Sequence, residues 1–412
     1  MNQEPSSITN VSVNQKYDLV IVGGGIVGTT LAVALKDTGL KIAIIETQTL
    51  TQAKSRKQAY ALSILSSKIL DGIGVWDDIF PYIGKFKYIR LSDAFSPLIV
   101  KFKTEDLKTD YLGYVGEHSY ILSALQNSSL KSPDITWLEN ARVIGIDKKD
   151  SYDIVKVNYK QEEIVLETKL IVGADGAKSY IRQQANIKTR GWKYWQSCVA
   201  FTIKHSAKTN DTAFERFWET GPMGILPLPD NRCQIVWSAP HAIAKELQSL
   251  PVSEFISRLE HHTEGLLGTL ELVSDRNLFP VQLMQSETYV KPRVALIGDA
   301  AHCCHPVGGQ GLNLGIRDAA ALAEVLTIAS RQGKDIGDLM VLNHYNNWRK
   351  QENLAILGFT DFLDRLFSSN LLPVIAIRRL GLLMMRHIQP LKLFALKLMT
   401  GLKGRKPMAI NN

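Results

Sequence analysis

Asp18-Leu-Val-Ile-Val22-Gly23-Gly24-Gly25-Ile26-Val27-Gly28 is the stretch that decides the fold. Asp18 to Val22 is a short, apolar, β-branched run, the pattern of a buried strand. Thr29 to Thr38 has helical character, Gly39 ends it, and Lys41-Ile-Ala-Ile-Ile45 reads as a second buried strand. Strand, helix and strand in that order predict a βαβ unit with parallel strands. The glycines at 23, 25 and 28 have the dinucleotide-binding spacing. The first permits the tight turn, the second lets a pyrophosphate approach the backbone, and the third lets helix and strand pack closely. The helix N-terminus offers free N–H groups and partial positive charge to phosphates. Glu46 ends the second strand, where a carboxylate accepts bonds from a ribose. This motif by itself does not separate FAD from NAD.

Two distant segments narrow the choice. Leu170-Ile-Val-Gly-Ala-Asp175-Gly176, followed by Ser179 and Arg182, ends a strand at the sheet edge where ligands bind. Taken alone, Asp-Gly there is an ordinary turn. The third segment is the most specific: Gly298-Asp299-Ala-Ala-His302-Cys303-Cys304-His305-Pro306-Val-Gly308-Gly309-Gln310-Gly311-Leu312-Asn313. A strand delivers Asp299 to a position suited to ribityl hydroxyls. The glycine turn leads into a long helix whose N-terminus suits negative charge on a reduced flavin. The three segments together predict FAD.

Outward from these motifs, 412 residues are too many for one ordinary core and predict two domains. A hydrophobic content of 45% and a charged content of 21% exclude general disorder. No signal peptide is expected, and the uncharged run Leu19 to Leu35 is short for a membrane span and broken by glycines. Four cysteines fit a reducing compartment. His302-Cys-Cys-His305 is too tightly spaced for zinc, so no metal is expected. Residues 60–76, 117–130, 252–262 and 311–331 read as helices, 84–104, 135–172 and 190–284 as mainly strands, and nearly everything after 338 as helix. The fold class is therefore α/β: a discontinuous Rossmann-like nucleotide domain, an inserted mixed β-sheet substrate domain and a helical C-terminal region. Its expected boundaries are a flexible leader at 1–15, a nucleotide domain at 16–83, 105–188 and 285–345, a substrate domain at 84–104 and 189–284, and a basic helical region at 346–412.

The third segment, with Leu112-Gly-Tyr-Val-Gly-Glu117, Ala61-Leu-Ser and Gly74-Val-Trp76, resembles the group A flavin-dependent aromatic hydroxylases with the p-hydroxybenzoate hydroxylase fold. More closely, it resembles the ubiquinone-biosynthesis hydroxylases, from about residue 17 to about 401. The resemblance implies that Gly23, Gly25, Gly28 and Glu46 hold the ADP half of FAD. Asp299 would hold the ribityl chain, and Pro306, Gly309, Gln310, Gly311, Leu312 and Asn313 would lie along the ring. Asp175 would belong to a segment used for FAD and NAD(P)H. The family's usual arginine is Gln58 here, with Arg56 two residues earlier, so both are candidates for that cofactor contact.

By the same resemblance, NAD(P)H reduces FAD, O2 forms a flavin C4a-hydroperoxide, and one oxygen passes to the ring of a prenylated quinone precursor of ubiquinone or plastoquinone type. His302 and His305 are weak candidates for catalysis; bracing the turn suits them better. Trp192, Trp195, Phe201, Phe214, Phe217 and Trp218 are candidates for an apolar substrate cavity or for plain core. Beyond Asp364 the chain has nine cations and no acid, a basic amphipathic pattern that suggests peripheral attachment to the inner face of a membrane from the cytoplasm. No nucleic-acid partner is expected, while a quinone-synthesis complex is compatible. The competing readings are a related FAD monooxygenase or reductase on another aromatic or isoprenoid substrate, and a non-catalytic flavoprotein subunit of such a complex.

Overall fold

Residues 15–94 and 96–410 are described by a computed structural model. Apart from Gln15, the expected leader lies outside them. The glycine stretch turns a βαβ unit, as its pattern requires. Strand Gln15–Val22 pairs in parallel with Ile42–Ile45 on one side and with Glu162–Gly173 on the other. Val294–Leu296 and Ile135–Leu138 extend the parallel run at its two ends. Leu19, Val20, Ile21, Ile42 and Ile44 are fully buried, because parallel strands are covered on both faces and β-branched side chains suit them. Their core includes Leu31 of the helix Ile26–Ala34 and Leu322 and Leu326 of the helix Gln310–Arg331.

A second, nine-stranded mixed sheet is built on Thr189–His205, flanked antiparallel by Arg232–Pro240 and Asn277–Ser286. Gly221–Leu228 and Thr212–Trp218 follow, then Tyr88–Asp93 in parallel and Ile99–Lys103 at the edge. At the opposite edge His302–Cys303 pairs with Asn277–Ser286, so the third motif is stitched directly to this sheet. The α/β class expected from the sequence is the one observed.

Local differences have physical causes. The helix expected over 60–76 is instead a strand, Ala59–Leu62, followed by the helix Ile64–Gly72 and the short helix Trp76–Ile79. The strand is set by antiparallel pairing to Gly113–Glu117, and the helix starts where the Ser63 hydroxyl caps the Ser66 N–H. Within 84–104, Gly84–Phe86 joins that small sheet and only Tyr88–Asp93 and Ile99–Lys103 enter the large one. A helix at His241–Ser249 precedes the expected one at Val252–Thr263.

The C-terminal region forms the helices Leu339–Phe367, Leu372–His387 and Gln389–Met399, the last two broken before Pro390. Phe367, Leu382 and Leu396 pack with Ile89, Leu91 and Val307 in one apolar cluster. Buried Arg378 bonds Asp93 at 2.9 Å and ties the tail to the second sheet. Removing one partner of such a pair costs about 3–5 kcal/mol. The basic tail is thus partly committed inward, since Lys392 and Arg405 also hold Asp106 and Glu324 of other elements.

Candidate active site

All three motifs meet at one cleft of about 500 Å3. Gly25 opens the helix Ile26–Ala34 with no side-chain cap and no acid in the first turn, and nothing lies within 4 Å of where its Cβ would be. Gly28 has no such freedom: a Cβ there would meet the Gly23 carbonyl oxygen at 2.0 Å. The Gly24 N–H donates to Glu46 Oε2 at 2.8 Å, which sets the acid beside the turn. Open backbone N–H groups at an uncapped helix start form an anion cradle.

Ala174, Gly176 and Ala177 line the cleft, and Asp175 between them turns one carboxylate oxygen to the following helix. Its Oδ2 accepts from the Tyr180 and Ile181 N–H groups at 2.7 and 3.1 Å, capping the following helix. The Arg182 guanidinium then bonds the Ala177 and Ala300 carbonyls, both at 2.8 Å, and locks the second motif to the third.

Asp299 lines the cleft and its carboxylate accepts no hydrogen bond among the described residues. The surrounding protein raises its pKa, with a smaller downward pull from His302. A carboxylate so placed is ready for hydroxyl donors. Pro306, Gly309, Gly311 and Leu312 continue the wall. Gly309 has φ +60° and a Cβ there would meet Ala61 Cβ at 2.9 Å. Gln310 and Asn313 do not face the cleft. Gln310 Nε2 donates to the Gly308 carbonyl at 2.9 Å; Asn313 accepts from Ser63 N–H at 2.8 Å and donates to the Ala61 and Gly309 carbonyls. These two residues hold the loop.

Neither histidine lines the cleft. His302 Nε2 lies 2.6 Å from Asp318 Oδ2, in a buried network with Arg349 and Asn353. The Val307 N–H donates to His305 Nδ1, so Nε2 carries the hydrogen and donates to Gln196 Oε1 at 3.0 Å. Burial pushes His305 down to about 4, leaving it neutral. Both are braces. Cys303 and Cys304 face the cleft as free thiols, with Cys303 pushed up to about 12 by burial, and no metal-binding group of residues exists among those described.

Arg56 and Gln58 line the cleft beside Tyr60 and His118, which sequence reading missed. The Tyr60 hydroxyl donates to Gln58 Oε1 at 3.1 Å, and the His118 backbone N–H to the Gln58 carbonyl at 2.7 Å. Beyond the Pro306–Gly309 loop lies a smaller cavity of about 90 Å3. Phe86, Ile89, Leu91, Ala213, Phe214, Leu226 and Val236 wall it, with one acid, Glu215. Of the six aromatic candidates only Phe214 is in this wall. Phe201 packs edge-on to Phe255, Phe217 stacks on Phe367, and Trp192 and Trp195 are exposed.

A cleft at an uncapped glycine helix, beside a second sheet with an apolar cavity, is a nucleotide site joined to a substrate pocket, and its family and relatives make the chain an FAD-dependent aromatic monooxygenase. The chain belongs to the FAD binding domain family, which it matches over residues 16–357. The fold is that of p-nitrophenol 4-monooxygenase from Pseudomonas putida, with a TM-score of 0.80 at 20% identity over 96% of this chain and 100% of that one. An uncharacterized protein of Synechocystis sp. is 55% identical over 96% of this chain and 95% of its own. The ubiquinone hydroxylase UbiL of Rhodospirillum rubrum is 35% identical over 92% of this chain and 89% of its own. The 3-demethoxyubiquinol 3-hydroxylase of Escherichia coli is 32% identical over 94% and 100%.

Proposed function

We propose that this protein hydroxylates the aromatic ring of a prenylated quinone precursor, in biosynthesis of ubiquinone or plastoquinone type. The observation that carries the reading is the apolar cavity set directly against the Pro306–Gly309 loop. Relatives named as ubiquinone hydroxylases support it. Bound FAD supplies electron transfer from NAD(P)H and the activation of O2.

The chain's own part is binding, orientation and exclusion of water. The first-turn N–H groups after Gly25 hold the pyrophosphate, with Gly23 and Gly28 keeping strand and helix close enough to present them. Glu46 accepts from the Gly24 and Gln48 N–H groups and the Thr47 hydroxyl and would have a lone pair left for a ribose hydroxyl, and Asp299 would receive those of the ribityl chain. Arg56, Gln58, Pro306, Gly309, Gly311 and Leu312, which line the cleft, would flank the ring system. The aliphatic and aromatic wall of the small cavity receives the substrate ring and keeps water from it.

The tail supports a lipid-borne substrate. Met399 lines the small cavity, and Leu382 and Leu396 pack behind its wall. The outer face of the helix Leu372–His387 exposes Leu372 (80%), Ile377 (60%) and Leu380 (56%) near Arg379 and Arg386. No helix among the described residues is long and apolar enough to cross a membrane. Apolar side chains among cations suit peripheral docking on the cytoplasmic face of an anionic bilayer. The test is NAD(P)H oxidation with labelled O2 and 2-(dimethylallyl)phenol. One labelled oxygen in a new ring hydroxyl is expected. Unlabelled product, or FAD that no nicotinamide reduces, overturns the reading.

A further inference from the structure

The geometry assigns to Glu215 the acceptance of the ring hydroxyl proton of the bound phenol, a role that rests on the reading above. Alternation along the strand Thr212–Trp218 places Ala213, Glu215 and Phe217 on one face. Ala213 and Phe217 are buried in the apolar cluster, so a carboxylate interrupts a stripe where an aliphatic side chain is expected. Its cross-strand partners are Leu91 and Gly224. Gly224 has no side chain, which leaves the carboxylate room: a Cβ there would lie 3.7 Å from Glu215 Oε2.

The carboxylate has little else to do. Among the described residues it accepts one hydrogen bond, from the Gly308 N–H at 3.3 Å, in the loop that separates cavity from cleft. No cation among the described residues pairs with it. Neighbouring Arg216 points to the other face and holds Glu264 at 2.9 Å, and Arg90 lies over the Phe214 ring. From the other elements around the cavity come apolar side chains, Ser238 and backbone, and no second ionisable group. Behind Ser238 lies the Cys198 thiol, 3.2 Å from the Ser238 hydroxyl and pushed up to about 12 by burial; the buried Asp364 carboxyl, itself pushed up to about 6 by burial, acts on that thiol as Glu215 does. A carboxylate left in apolar surroundings with one neutral partner is costly to the fold, and such groups cluster at functional sites.

Burial pushes Glu215 up to about 7, offset in part by the Gly308 N–H, which poises it as a base near neutral pH. In the step assigned to it, the phenol O–H bond breaks and an O–H bond forms on the carboxylate. The electron pair stays on the phenolic oxygen and is shared with the ring, whose carbons become more nucleophilic. No electron is transferred, and the proton returns to the oxygen after hydroxylation. A phenol ionises near pH 10, about three units above this acid, so the proton moves as charge develops in the transition state and not beforehand.

The experiment uses FAD-loaded full-length enzyme and 2-(dimethylallyl)phenol. In the wild type, kcat/KM should rise with pH through about 7 as the carboxylate forms, then level off. Glu215→Gln keeps a group able to accept from Gly308 but cannot take the proton. It should retain FAD and a similar KM, lose that rising limb and fall about 100- to 10,000-fold in kcat. Glu215→Asp should keep a limb at lower rate. Infrared pH-difference spectra without substrate give a readout besides turnover: a protonated-carboxyl band titrating near 7 in the wild type and missing from Glu215→Gln. A Glu215→Gln enzyme with the wild-type limb and rate, or a band unchanged by the substitution, overturns the assignment alone. A wild type that hydroxylates no phenol overturns the reading it rests on.

Discussion

The large cleft and the small cavity are neighbours that share Ala61, Leu226, Val236, Pro306 and Gly309, yet they are made differently. One side of the cleft is helix starts, glycines and the turns after strands, and side chains of the second sheet such as Gln234, Phe279 and Gln282 close the other. The cavity is side chains, brought together from the strands Tyr88–Asp93, Thr212–Trp218, Gly221–Leu228 and Arg232–Pro240 and from the helix tip at Met399. Where a ligand must approach the backbone, only certain residue types fit at fixed spacing. Where it must fit a hole, many side chains serve. The first site is constrained locally and the second by long-range pairing.

The largest expected effect breaks the cleft. Gly28→Val places a Cβ 2.0 Å from the Gly23 carbonyl oxygen and 3.2 Å from the Ala174 Cβ, and neither the backbone nor a methyl group can turn aside. A loss above about 4 kcal/mol, enough to abolish soluble holoenzyme, is expected. Gly25→Val is the contrasting variant. Its φ of −73° is ordinary and nothing lies within 4 Å of a Cβ, so the apoprotein should lose only about 1 kcal/mol in its melting behaviour from a poorer N-cap. The same variant should bind FAD about 100-fold more weakly, because the new side chain occupies the approach of the phosphates. FAD titration beside thermal melts checks both. Equal damage to the apoprotein by the two variants would erase the distinction between packing glycine and ligand glycine.

That distinction explains how much could be read beforehand. Gly23, Gly25 and Gly28 were legible because a strand, a turn and a helix lie consecutively in the chain. That Asp299 reaches the cleft was legible for the same reason, since it follows a strand and precedes the glycine loop. Asp175 was readable as a turn acid, but its commitment to the Tyr180 and Ile181 N–H groups depends on how the chain bends after Gly176. His302 and His305 drew notice as histidines beside the motif; their burial against Asp318 and Gln196 comes from elements over 15 and over 100 residues away. Glu215 was not singled out, although Phe214 and Phe217 beside it were. Its alternation with Ala213 and Phe217 was visible in the sequence, but not the apolar wall that makes a carboxylate there unusual. The strand Ala59–Leu62 was misread as helix since its partner among the described residues, Gly113–Glu117, lies far along the chain.

A smaller change should fill the cavity and spare the cleft. Gly224→Val adds a β-branched side chain that suits a strand, at a position open to the cavity and in ordinary contact with Glu215. FAD content should be unchanged and KM for 2-(dimethylallyl)phenol should rise about tenfold, equivalent to about 1.4 kcal/mol. A variant that loses FAD instead would mean that the two spaces are one site and the comparison is misdrawn.

The smallest effect concerns how substrate reaches that cavity. The helices Leu372–His387 and Gln389–Met399 have an inner face that closes the cavity wall and an outer face with exposed leucines and cations. If the outer face lies on a bilayer, charge and apolar area contribute separately and can be removed separately. Arg386→Gln should weaken binding to anionic vesicles by about 1 kcal/mol, near fivefold, and leave binding to zwitterionic vesicles unchanged. Ile377→Ser should weaken both, because the apolar contact does not depend on headgroup charge. Neither side chain belongs to the inner cluster, so FAD content and turnover of a water-soluble phenol should hold in both variants. Sedimentation with vesicles of the two compositions separates the terms. Binding indifferent to both substitutions would place the bilayer elsewhere and leave the outer face to another partner; turnover that falls with the soluble phenol would show that the two faces of these helices are not independent.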